Sequence, residues 1–140
     1  MEYEYAQILY KYLEKFKLEY KNSKKHFREI AYYFNIDIYR LRLEDNKYAE
    51  VKCNLNRCKI ILNNNLNNKK MFTLTMYLIP ITLLYRETED KEFSDITIYD
   101  KENSIKYSNI YKMFAYDILF DQNNLYNFIN ESRGNNVQKK

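Results

Sequence analysis

Lys69-Lys70-Met71-Phe72-Thr73-Leu74-Thr75-Met76-Tyr77-Leu78-Ile79-Pro80 opens a run that is apolar on almost every side. A helix with one apolar stripe lies on the surface of a domain, whereas a helix apolar all round belongs at its centre. The run predicts a central helix, capped by Asn67 or Asn68 and extending to about Leu84. Pro80 falls inside it. Proline removes one backbone N–H and crowds the carbonyl four residues back, at about 3 kcal/mol, so the pattern predicts a kink or an early end there. The apolar run from Met71 to Tyr85 is shorter than the ~20 residues that span a bilayer, which makes it a core helix.

Upstream of this helix the period is two. Ile36-Asp37-Ile38-Tyr39-Arg40-Leu41-Arg42-Leu43 alternates as a strand does. Glu44-Asp45-Asn46-Lys47 reads as a turn. In the next strand, Ala49, Val51 and Cys53 face one way. Asn54-Leu55-Asn56-Arg57 turns the chain, Cys58 to Leu62 is a short apolar strand, and Asn63-Asn64-Asn65 ends it. Three strands joined by short turns predict an antiparallel meander.

Further upstream, Tyr5, Ile8, Leu9, Tyr12, Leu13 and Phe16 recur at helical spacing over residues 3–20. Ser23 is placed to cap a second helix whose stripe is Phe27, Ile30, Ala31 and Phe34, with Asn35 as its left-handed stop. Downstream of the central helix, Arg86 to Glu92 is a charged loop and Asp95 to Tyr99 a short strand. A fourth helix from Ser104 to Phe120 carries Tyr107, Ile110, Tyr111, Phe114, Ala115 and Ile118, and Asp121 is placed to cap a fifth. The expected class is α+β: helices packed on a small antiparallel three-stranded meander about one central apolar helix. A single domain covers residues 1–131, and a polar tail, 132–140, is expected to be disordered.

A chain of 140 residues suits one domain with an adequate core. Its 16 Tyr, single Gly and single Pro are the bias that AT-rich coding produces. The net charge of +4 is mild, because 19 acidic residues are interspersed with 23 basic ones. Two cysteines and one histidine cannot supply four zinc ligands. Cys53 and Cys58 read as small apolar residues on facing strands, and a disulfide between them needs an oxidising compartment. The acidic start, Met1-Glu2-Tyr3-Glu4, is no secretory leader, so a soluble cytoplasmic protein with no membrane partner is expected.

Three segments carry a resemblance. Ala31 to Tyr39 runs from a helix into a strand through Asn35. Cys58-Lys59-Ile60-Ile61-Leu62-Asn63-Asn64-Asn65-Leu66 reads as an edge strand and its exit. Phe72-Thr73-Leu74 opens the central helix, and Phe114-Ala115-Tyr116-Asp117-Ile118-Leu119 is a weaker echo further on. In this order, over roughly residues 5–125, they resemble the ImmA/IrrE family of small zinc peptidases. That family's helix continues into His-Glu-x-x-His. Here the corresponding positions are Met76, Tyr77 and Pro80, and Ser108 to Ile110 offer no glutamate as third ligand. The resemblance therefore implies a zincin-like framework without metal, cofactor or catalysis.

The remaining residues point the same way. His26, at the start of the second helix, reads as a surface or capping residue. One glycine, Gly134, cannot build a phosphate loop, and Glu87, Glu89 and Asp90 read as solvated surface. The expected activity is stoichiometric binding of another protein. A mobile-element inhibitor or regulator fits, directed at a repressor or a host defence factor in the manner of an anti-CRISPR protein. The alternative is single-stranded nucleic-acid binding on a sheet face carrying Tyr39, Arg40, Arg42, Tyr48, Lys52, Arg57 and Lys59. A homodimer through Cys58 to Leu62, taken as an open edge, or through exposed Tyr, is a third expectation.

Overall fold

Tyr5, Leu9, Leu13 and Phe16 fall on one face of α1 (Glu2–Glu19) and are buried there, which sets this helix against the core. The computed structural model describes residues 1–20, 26–55, 57–100 and 105–138, and of 134–138 the backbone alone. After α1 come α2 (Phe27–Tyr33), β1 (Ile36–Leu41), β2 (Lys47–Asn54), β3 (Arg57–Asn63) and α3 (Asn68–Thr88). A 3-10 turn (Lys91–Phe93), β4 (Asp95–Tyr99), α4 (Ser108–Leu119) and α5 (Asn124–Gln138) complete the chain. The class is α+β, with five helices and a four-stranded mixed sheet among the described residues.

The predicted meander is not what forms. The sheet order is β1-β3-β2-β4, with β1 parallel to β3 and the other two pairs antiparallel. Residues 42–46 carry the chain from β1 across the end of β3 into β2. The buried Asn63 side chain stitches this crossover. Its amide nitrogen donates to the carbonyls of Lys47 (2.8 Å), Glu44 (3.2 Å) and Leu43 (3.4 Å), and its oxygen accepts from Leu43 N–H. A tight hairpin pairs neighbours through its own two-residue turn. Here a side chain twenty residues downstream selects the order, so alternation within each strand could not reveal it. Consequently the segment read as an edge, Cys58 to Leu62, is interior, and the edges are β1 and β4.

The central helix forms as the pattern predicts. Asn67 caps it, accepting from Lys70 N–H at 2.8 Å, and it packs against α1, α2, α4, β2 and β3. It neither ends at Pro80 nor stops at Leu84, but runs on to Thr88 with Glu89 in a left-handed C-cap. Residues on both sides of the proline are buried, and that packing outweighs one lost hydrogen bond. The charged stretch predicted as loop therefore begins inside the helix.

Helix ends differ in detail from the sequence reading. His26 caps α2, its ring nitrogen accepting from Arg28 N–H at 3.3 Å, while Ser23 lies outside the described residues. Asn35 stops α2 in the left-handed region, as its side chain suggested. Asp121 does not cap α5. It takes φ 51 and pairs with Lys17. The cap comes from α4: Asp117, fully buried, accepts from Asn124 and Leu125 N–H at 2.8 and 3.0 Å. Helix α5 then continues to Gln138, past Ser132, where polar composition predicted a disordered tail; Leu125 and Ile129 are buried and anchor its first turns. None of the helices among the described residues is long and apolar enough to cross a membrane.

Candidate functional site

Two-residue alternation and the register together assign each strand side chain to a face. Ile36, Ile60, Leu62, Ala49, Val51, Ile96 and Ile98 share the side that α2 and α3 cover. The opposite side carries Asp37, Tyr39 and Leu41 from β1, Arg57, Lys59 and Ile61 from β3, Glu50 and Lys52 from β2, and Asp95 from β4. No described helix packs on this side.

Near one end of it is a depression of 450 Å³, lined by Asp37, Tyr39, Lys52, Arg57, Lys59 and Asp95 among others. Lys52 Nζ lies 2.8 Å from Asp95 Oδ1 and 3.6 Å from Glu50 Oε2. The hydrogen bond to Asp95 is the main reason its ammonium is held above the usual lysine range. Lys59 Nζ sits 5.8 Å from the centre of the Tyr39 ring, within cation–π reach. The face thus mixes three cations (Lys52, Arg57, Lys59) with three carboxylates (Asp37, Glu50, Asp95).

Of the seven residues read as one basic surface, the structure brings four together: Tyr39, Lys52, Arg57 and Lys59. Arg40 pairs in register with Leu62 and so belongs to the other side of β1, and Arg42 lies beyond the strand in the crossover. Tyr48 stands at the register shift between Lys47 and Ala49. Its ring lies under Lys70 Nζ at 4.8 Å, beside Leu74 and Tyr77 of α3. The sequence reading missed the carboxylates. Alternation alone places Asp37 with Tyr39 and Glu50 with Lys52, so that signal was present.

Cys53 and Cys58 face each other across the β2–β3 ladder and are joined by a disulfide, with Cα atoms 4.1 Å apart. Cys53 N–H donates to the Ser94 carbonyl, toward β4 rather than β3. The pair is therefore a non-hydrogen-bonded one, the closer of the two antiparallel spacings. Facing strands were expected; the bond adds a covalent closure to a hairpin that its ladder already closes.

The positions that would hold zinc in the resembling family are filled by packing. Met76 and Pro80 are buried in the core, and Tyr77 is half-buried, edge-on to Tyr111 at 5.9 Å. Burial pushes the Tyr77 hydroxyl up, opposed by a hydrogen bond with Ser108. The Tyr111 hydroxyl, fully buried, has no hydrogen-bond partner among the described residues. A thioether, a phenol and a tertiary amide do not make a divalent-cation site, and no three His, Cys, Asp or Glu converge among the described residues. These residues do not fit zinc.

The chain matches no family model, and neither curated proteins nor solved structures give a match to it.

Proposed function

We propose that this chain is a non-catalytic protein-binding module that acts by stoichiometric occupation of its partner. The observation that carries this reading is the uncovered face of the sheet, which sets Tyr39 and Leu41, 45% and 49% exposed, among charges of both signs. Interfaces favour Tyr over a mixed polar rim, because the ring supplies large area with few torsions. Behind that face the central helix is packed on nearly every side.

Nucleic-acid binding is less well supported. Lys52 is already engaged by two carboxylates, and Arg40, Arg42 and Tyr48 are not on the surface they were expected to build. A zincin-like descent for α3 belongs to this proposal too. The order of helices and first three strands favours it; the interior position of β3 and its parallel pairing with β1 argue against it. The class of partner, a repressor or a host defence factor met in the cytoplasm, is likewise proposed. The hairpin ladder closes the Cys53–Cys58 loop without help, so a reducing compartment is compatible with the fold.

The test is capture from the native host with the wild-type chain and with a Tyr39→Ala, Lys59→Glu double variant. A one-to-one protein complex that weakens far less with rising salt than a nucleic-acid complex, and that is lost in the variant, is expected. Recovery of nucleic acid, released steeply as salt rises, would replace this reading.

A further inference from the structure

The outer edge of β1 is built to take another strand. Leu41 C=O accepts from Asn64 N–H at 2.9 Å, so the backbone of Leu41, and by alternation that of Tyr39 and Asp37, turns toward β3. The N–H and C=O of Ile38 and Arg40 then point outward, and no described residue hydrogen-bonds to them. An exposed row of this kind is a template for a further strand.

Charge selects which strand. The half of the sheet made by β2 and β4 is neutralised internally, through Lys52 with Asp95 and Glu50 and through Lys47 with Glu44. On the other half, Arg40, Arg42, Arg57 and Lys59 are exposed and enter no ion pair among the described residues. On β1 and β3, Arg40, Arg57 and Lys59 are matched by a single carboxylate, Asp37, while the crossover carries Arg42 together with Asp45 and the Lys47-paired Glu44. The unpaired positive charge therefore borders the open edge.

Resting on the protein-binding reading above, we infer that β1 docks an extended acidic segment of the partner protein, which adds as a fifth strand. Its two sides follow from the two faces of β1. Side chains on the helix side fall beside Arg40 and are acidic. Those on the open side fall beside Tyr39 and Leu41 and are apolar. Main-chain bonds to Ile38 and Arg40 supply affinity, and the alternation supplies specificity. A second copy of β1 is a poorer occupant, because it would bring Arg40 and Arg42 of both chains to one seam. A nucleic-acid strand would answer the cations but leave the backbone row unmet, and it finds a single tyrosine on this strand where a stacking platform uses several.

The probe is a short synthetic peptide alternating Glu and Val, compared with its Lys–Val counterpart and with oligothymidine, against the full chain. The Glu–Val peptide is expected to slow hydrogen exchange at the Ile38 and Arg40 amides and to bind about tenfold or more tighter than Lys–Val, since like charges repel at the seam. Ile38→Pro, which removes an outward N–H, should abolish the protection at Arg40. If circular dichroism shows Ile38→Pro unfolded, Arg40→Glu carries the test, and its preference should reverse toward Lys–Val. Equal binding of both peptides, protection by oligothymidine, or Ile38 and Arg40 amides already protected in a dimer by light scattering would each overturn the inference. A host protein held equally by wild-type and Ile38→Pro chains would also overturn it while leaving the protein-binding reading intact. Failure to capture any protein, with the Glu–Val result positive, would sink that reading and spare the edge.

Discussion

On the helix side of the sheet, Ile36, Ala49, Val51, Ile60 and Leu62 are at most 4% exposed, whereas across the same strands Tyr39 and Leu41 stand nearly half exposed. The two faces share one backbone and one register, so the difference lies in what covers them. The covered side is locked to α3, and a volume change there is felt by the whole domain. Apart from the buried Ile61 and Asn63, the open side carries little packing, which frees its other side chains for recognition. Stability and binding are thus divided between faces, and substitutions should separate them.

The sharpest way to break the helical layer behind the covered side is alkali. Burial, then hydrogen bonds to Glu87 and Glu19, push the hydroxyls of Tyr12 and Tyr33 up to about 12, and burial raises Tyr111 further. These groups keep their protons in the folded chain while the unfolded chain loses them near 10. Their contribution is complete below pH 10 and falls away as pH rises through 12. The last part of the tyrosinate absorbance rise should coincide with the loss of far-ultraviolet dichroism. Ionisation of all tyrosines with the dichroism intact would refute the assignment.

Among point variants, Leu62→Ala should cost about 2–5 kcal/mol in urea unfolding, by deleting core methyl groups. Tyr39→Ala, on the open side, should stay within about 0.5 kcal/mol. Equal losses would mean that the open side carries packing after all.

Asn63 tests the boundary between the two faces. Its register places it on the open side, yet it is only 1% exposed because residues 42–46 cross over it. Asn63→Ala should cost about 2–3 kcal/mol through the carbonyls and N–H it leaves unmet. Faster hydrogen exchange at Leu43 and Lys47 would mark the loosened crossover; unchanged exchange there would show that the loop is held by something else.

Asp117→Ala should cost about 1–2 kcal/mol as a lost cap. Exchange should quicken first at Asn124 and Leu125, and a uniform change along α5 would argue against capping.

The smallest expected effect is a gain. Leu55 turns the β2–β3 hairpin at φ 51, where a side chain is disfavoured, and it is 80% exposed. Leu55→Gly should therefore raise stability by about 1 kcal/mol, read as a higher urea midpoint; a lower midpoint would show that the leucine is held by contacts.

Much of this architecture was legible in the chain. The helical stripe at Tyr5, Leu9, Leu13 and Phe16, the all-round apolarity of Met71 to Leu84, and the alternation of Ala49, Val51 and Cys53 are local patterns. They depend only on the periods of helix and strand. The site was half legible. Alternation groups Tyr39 with Asp37 and Lys52 with Glu50, but it does not say that Arg40 leaves the group or that Tyr48 slips to α3 at a register shift.

Local pattern settles which segments are helix or strand and which side of each is apolar, because these follow from neighbours a few residues apart. Long-range packing alone places β3 between β1 and β2, starts α5 with Asp117 rather than Asp121, and leaves β1 and β4 as the edges. Each of these turns on a buried polar side chain meeting backbone groups distant in sequence, Asn63 at the crossover and Asp117 at the last helix. Such meetings are chosen by the need to satisfy every buried polar group at once, and no local period encodes them.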